Sequence, residues 1–197
     1  MSRPDRAQPG GGVTSPDVRT RRSGGRCGKL NSVLTDDLTQ LANRVAELLR
    51  SQNQTVAVAE GSAGGLISAA LLSIPGASAY YVGGAVVYTM AANRAFMAGP
   101  IEIPTGMRGA SEPFATYLAQ SVAAKLDATW GLGEAGAAGP PNRYGDPAGH
   151  AWVAVSGPAN STRHVLTGSD DRGHNMLAFA VAALTLLADT VTTSHAG

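Results

Sequence analysis

The run Glu60-Gly61-Ser62-Ala63-Gly64-Gly65 sets a carboxylate, a hydroxyl and three glycines within six residues. It follows Thr55-Val-Ala-Val-Ala, which reads as a short strand buried on both faces, and it precedes a helical run from Leu66 to Ile74. A strand that passes through glycines into a helix leaves backbone N–H groups unpaired and open to a close ligand, which makes the passage a candidate anion site. It is not a P-loop, since no Gly-Lys-Ser/Thr follows, and the dinucleotide spacing is absent. Tight strand–helix packing without a ligand accounts for the same spacing equally well. Glu60, at the strand end where ligands gather in open α/β sheets, can serve a ligand or bond to local backbone donors. Ser62 is a nucleophile only with a base beside it, and otherwise a capping hydroxyl.

Other reactive side chains are sparse. Cys27 is the single cysteine, so no internal disulfide forms, and a reducing, cytoplasmic setting is expected. His150, His164, His174 and His195 show no metal-ligand spacing with one another or with Cys27. Neither a metal nor a cofactor is expected. Six Arg and Lys29 against Asp5 and Asp17 give residues 1–29 a net charge of +5, leaving −4 for the rest of a chain whose formal charge is +1. That basic stretch is the one nucleic-acid signal, and a solvated extension is the simpler account of it. The richest apolar run, Met176 to Leu187, is too short to span a membrane, and the N-terminus has no apolar signal core.

The elements that must position these groups follow from periodicity and breakers. Residues 1–34 are rich in Gly, Arg, Ser and Pro and are expected to be disordered. Thr35 or Asp36 caps a helix whose apolar face is Leu38, Leu41, Val45, Leu48 and Leu49. A second strand is expected over Tyr81–Tyr88 and a short helix over Thr89–Ala98. A further helix runs from Glu112 to Asp127, with Ser111 as cap and Pro113 in its first turn. Thr129–Leu132 reads as a strand entering a loop from Gly133 to Gly149; Ala151–Val155 and Arg163–Thr167 read as a strand pair. A last helix spans Gly173–Ala188. Strands alternating with helices predict an α/β fold, a single layered αβα domain with a mixed sheet. The domain is expected over 35–190, with a flexible tail at 191–197.

Seven segments in order resemble the C-terminal domain of competence/damage-inducible protein CinA, the nicotinamide-nucleotide amidohydrolase family. They are Ala59-Glu60-Gly61-Ser62-Ala63-Gly64-Gly65, Gly76-Ala77-Ser78, Gly83-Gly84-Ala85-Val86-Val87-Tyr88, Ala110-Ser111-Glu112-Pro113, Gly133-Glu134-Ala135-Gly136, Gly149-His150-Ala151-Trp152-Val153-Ala154-Val155 and Asp171-Arg172. The resemblance implies cleavage of the amide of nicotinamide mononucleotide by a serine, assisted by a tyrosine and a lysine. At those positions this chain has Gly61, Tyr88 and Asn93, so only the tyrosine is kept. Ala63 and Met90 replace a family Thr and Asn, Glu134 replaces an isoleucine and Ala137 a proline. Asparagine is no useful base, the neighbouring Arg94 stays protonated, and Ser62 stands one residue from the nucleophile position. Losing a nucleophile or its base costs on the order of 10⁴–10⁶ in rate.

The sequence therefore leads to a catalytically impaired, CinA-like domain, a pseudoenzyme. It is expected to keep a nucleotide- or phosphate-sized pocket built on Glu60, Gly61, Ser62, Gly64, Gly65, Tyr88, Asn93 and Gly136. Its role would be ligand or partner binding, with a nicotinamide mononucleotide-like small molecule and a homodimer or oligomer as the implied partners. The alternative is an active amidohydrolase using Ser62 and Tyr88 in a rearranged site. A third reading is a structural domain with an empty pocket, in which Tyr80, Tyr81 and Trp152 are core or interface residues.

Overall fold

The computed structural model describes residues 34–99, 101–103, 107–142 and 144–195. The tail expected at 1–34 falls outside them except for Leu34. Thr35 caps α1 (Asp36–Ser51), its Oγ1 accepting from Leu38 N at 3.3 Å. Asp36 and Asp37 lie at the positive end of the helix dipole. β1 (Val56–Glu60) is buried along its whole length, as a continuous apolar run requires. α2 (Leu66–Leu72), β2 (Tyr81–Val86) and α3 (Met90–Met97) follow, the last capped by Thr89 Oγ1 on Ala92 N at 3.1 Å. α4 (Glu112–Leu126), β3 (Trp130–Ala137), β4 (His150–Ser156), β5 (Ser161–Leu166) and α5 (Arg172–Ser194) complete the order.

The five strands form one mixed sheet in the order β2-β1-β3-β4-β5. β1 runs parallel to β2 and β3, and β4 is antiparallel to both its neighbours. α1, α2 and α5 cover one face, where Leu38, Val45 and Leu49 meet Phe179, Leu184 and Leu187 over Val58, Leu132 and Val153. On the other face, α3 and α4 place Met97, Phe114, Leu118 and Val122 against Ala57, Ala59, Ala135 and Ala154. This is the expected αβα layering.

Three expectations change. β3 continues through Gly133, Glu134 and Gly136 instead of giving way to a loop at residue 133. The glycines are there for packing: a Cβ on Gly131 would lie 1.8 Å from the Ala119 carbonyl oxygen, and one on Gly133 would lie 2.1 Å from that of Ala115. Glycine weakens a strand in isolation, but here it lets α4 lie directly on the sheet. Ser111 stands at the N-cap of α4 without a capping bond, its hydroxyl donating to the Arg108 carbonyl instead. α5 runs to Ser194, so residues 191–194, expected in a flexible tail, are helical and Val191 is buried. At 23 residues this helix is long and apolar enough to cross a membrane by length and composition alone. It packs on α1 and the sheet as the core helix of this face.

Candidate functional site

The carboxyl ends of β1 and β3 bring Glu60 and Glu134 side by side as register partners, both fully buried. Glu60 turns onto the start of α2. Its Oε2 accepts from Gly65 N at 2.9 Å and Ile67 N at 3.2 Å; its Oε1 accepts from Ser68 N at 3.1 Å and Ser68 Oγ at 2.6 Å. Glu134 holds the turn before it. Its Oε2 accepts from Gly61 N at 3.0 Å and Ala63 N at 2.8 Å, and its Oε1 from Ser62 Oγ at 2.5 Å. Burial pushes the Glu134 carboxyl up from its ordinary 4.5 to about 7. The Ser62 hydroxyl and the Ala63 and Gly61 amides oppose that rise, and the Glu60 charge adds to it.

The glycine passage is thus closed by the chain's own carboxylates. The amides of Gly65 and Ile67, which an anion site would leave free, donate to Glu60. Of the two readings of Glu60, the structure shows the local backbone one. Gly64 and Gly65 adopt φ of +68° and +98°, the left-handed region that glycine enters without strain, and a Cβ on Gly64 would collide with Met176 Cε at 2.7 Å. Ser62 is 4% exposed and directed at Glu134. Gly136 is required beside it, because a Cβ there would stand 2.7 Å from Ser62 Oγ and 2.6 Å from Ala151 Cβ.

A cleft of about 470 Å³ opens at the same end of the sheet. Val87, Tyr88, Thr89 and Met90, from the turn after β2, line it together with Asn142 and Tyr144 from the loop between β3 and β4. Phe114 of α4, Ala110 and Gly136 complete the wall. Among the described residues, none of the cleft-lining side chains carries a formal charge. The β3–β4 loop is held in shape by Asn142, whose Oδ1 accepts from Tyr144 N at 2.9 Å and Asp146 N at 3.1 Å. Buried Asp146 in turn pairs with Arg108 at 2.7 Å.

Of the residues singled out from sequence, Tyr88 and Gly136 line this cleft. Glu60 and Ser62 lie buried beside it, and Gly61, Gly64 and Gly65 shape the backbone that holds them. Asn93 does not line the cleft. It is fully buried on α3, and neither its amide nitrogen nor its amide oxygen has a hydrogen-bond partner among the described residues. Asp171 caps α5 through His174 N at 2.8 Å, as a capping residue should. Sequence reasoning missed three features. Glu134 was visible only as a charge in an apolar position, and its partner Ser62 lies 72 residues away. Tyr144 and Asn142 sat in a stretch read as plain loop. His150 and His164 meet across β4 and β5, with Nδ1 and Nε2 2.9 Å apart and His164 stacked on Trp152.

The comparisons agree with the fold. The sequence model of the CinA C-terminal domain matches residues 38–191. A CinA-like protein from Parasynechococcus marenigrum is 33% identical over 154 residues, which cover 78% of this chain and 35% of that one. Another from Myxococcus xanthus is 36% identical over 132 residues, 65% of this chain and 31% of that one. The chain spans about a third of the length of these curated relatives. Among solved structures, the competence/damage inducible protein CihA from Agrobacterium tumefaciens superposes with TM-score 0.71 at 27% identity, covering 78% of this chain and 95% of that one. A CinA superfamily protein from Klebsiella pneumoniae shares the fold at TM-score 0.73 and 23% identity, over 79% of this chain and 98% of that one.

Proposed function

This chain belongs to the CinA C-terminal domain family, and from that premise we propose that it binds a nicotinamide mononucleotide-like molecule without the family's serine–lysine amide hydrolysis. One observation carries the reading: the cleft keeps Tyr88 and its aromatic lining, while the positions that would supply nucleophile and base hold Gly61 and Asn93. Tyr88 remains on the cleft, with Tyr144, Met90 and Phe114 offering apolar and aromatic surface for a flat ring. The nucleophile position is Gly61, which has no side chain to attack with. The lysine position is Asn93, which is buried off the cleft and cannot take a proton. Ser62 is no substitute by position, since its hydroxyl is buried and engaged by Glu134. Binding without turnover follows.

A second reading has a specific observation behind it. Ser62 donates to a carboxylate whose pKa is close to neutral, which is the base that a serine nucleophile needs. One experiment decides between them. The purified chain is incubated with nicotinamide mononucleotide while ammonia release and thermal midpoint are followed. A raised midpoint with no ammonia is the expected result. Ammonia release lost in Ser62→Ala would overturn the binding reading in favour of the second one.

A further inference from the structure

His150 and His164 are fourteen residues apart, a separation that gave no metal-ligand signal in the sequence. The antiparallel register of β4 on β5 pairs His164 with Trp152, which sets it diagonally across from His150 on one face of the sheet. His150 Nδ1 and His164 Nε2 stand 2.9 Å apart, and the His164 ring stacks on Trp152 with centroids 4.8 Å apart. His150 Nε2 lies 2.9 Å from the Ala110 carbonyl oxygen. A carbonyl can only accept, so Nε2 carries the proton and Nδ1 of the neutral ring is bare. His164 Nε2–H therefore donates to it.

We propose that this pair binds a divalent transition-metal ion, copper(II) before zinc, through His150 Nδ1 and His164 Nε2. Metal–imidazole bonds of about 2.0–2.1 Å put two nitrogens about 2.9 Å apart at adjacent corners of a square, and about 3.4 Å apart at tetrahedral corners. The observed spacing matches the square arrangement, which copper(II) favours. The bond to Ala110 is the outer support that a ligating histidine uses: it fixes the tautomer and the ring and makes Nδ1 a better ligand. His164, exposed on an edge strand, turns its ring toward the ion, and its proton moves from Nε2 to Nδ1. Glu112 adds negative charge on this face, its Oε1 accepting from Thr162 two residues before His164. The N-terminus of α4 opposes a cation, whereas Arg108 is offset by Asp146 and Arg163 pairs with Asp189 of α5. No third histidine, cysteine or carboxylate completes the set among the described residues, so water takes the remaining positions. Ala110 also lines the cleft, and an ion here would brace that wall. The site itself does not depend on what the cleft binds.

Copper(II) chloride and zinc chloride, titrated separately into the full chain, test it with Trp152 fluorescence as the reporter. Cys27→Ser serves as the parent background, because a thiol takes up copper on its own. Saturable quenching by about one equivalent of copper(II) is expected, and Trp152→Phe should remove it, leaving only buried Trp130. Electron paramagnetic resonance should show tetragonal copper(II) with two nitrogen ligands. His150→Ala and His164→Ala should each weaken copper about tenfold or more, with zinc bound more weakly than copper throughout. His164→Gln separates a metal site from a plain hydrogen bond. Its amide still donates to His150 Nδ1, so the thermal midpoint should match the parent's while copper is lost. Unquenched parent protein, or a copper affinity in His164→Gln equal to the parent's, overturns the proposal. A resonance spectrum with a single nitrogen ligand overturns it as well.

Discussion

Two regions meet at the carboxyl end of this sheet, and they differ in how their polar groups are satisfied. In the glycine passage the amides of Gly61, Ala63, Gly65, Ile67 and Ser68 all donate to Glu60 or Glu134, inside the core. In the cleft, which Gly136 of β3 also lines, Tyr88 is 62% exposed and Tyr144 48% exposed. A glycine-rich strand–helix turn suggests an anion site, but only donors without a protein partner can serve a ligand. Here the first region is architecture, and the second is the one proposed to receive a ligand. The distinction rests on which backbone donors the core has already engaged and which side chains stay exposed, and no spacing rule records either.

The comparison is sharpest under truncation. Glu60→Ala strips four donors of their acceptor in a dry site, and a loss of about 3–5 kcal/mol is expected. That is a large share of the ~5–15 kcal/mol that holds a domain of this kind together. Tyr88→Phe, on the cleft side, removes one long bond to Arg172 from an exposed ring and is expected to shift stability by under about 0.5 kcal/mol. Urea midpoints of the two variants measure both. Near-equal effects would erase the division between the regions.

A second difference is electrical. Glu134 has its pKa raised to about 7 in the folded chain, whereas its ordinary value is 4.5. Between those values the unfolded chain has released this proton and the folded chain retains it. The folded state therefore binds more protons, and this residue's contribution to stability falls as pH rises from 4.5 to 7, by about 3 kcal/mol in all. Below the window both states are protonated and above it both are ionised, so the slope vanishes at either end. Glu134→Gln should lack the slope, and the stability difference between parent and variant across pH 4.5–8 isolates it from the other carboxylates. A difference that does not change across that range would mean that folding does not raise the Glu134 pKa.

What the sequence disclosed divides along the same line. Local rules found α1 through Thr35 and its apolar face, α3 through the Gly99-Pro100 stop, and β1 through its unbroken apolar run. They stopped β3 at Leu132 because Gly133 and Gly136 look like loop, when contact with Ala115, Ser62 and Ala151 is what requires glycine there. They found Glu60, Ser62 and Tyr88 by neighbourhood but not Glu134, because only the parallel register of β1 on β3 brings it to Ser62. The histidine pair escaped for the same reason, since it depends on the antiparallel register of β4 on β5. Residues joined by long-range pairing carry no signature in their spacing along the chain.

The two replaced positions also predict how the family's chemistry would be installed. A side chain at residue 61 meets only ordinary contacts: its Cβ would lie 3.4 Å from the Glu134 carbonyl oxygen and 4.0 Å from Ala135 Cα, on a backbone without positive φ. A serine fits there without moving the turn that Glu134 holds. Position 93 is occupied by an amide whose nitrogen and oxygen have no partner, so no existing hydrogen bond is lost by replacing it. The double substitution Gly61→Ser with Asn93→Lys supplies a nucleophile and a base that can be neutral when desolvated, while Tyr88 is already present. Ammonia release from nicotinamide mononucleotide should then rise about a hundredfold over the parent, with each single substitution giving far less because the pair acts as a unit. If the double variant folds, binds the nucleotide and still releases no ammonia, then more than two side chains separates this cleft from an amidase, and the backbone turn itself must be set for binding.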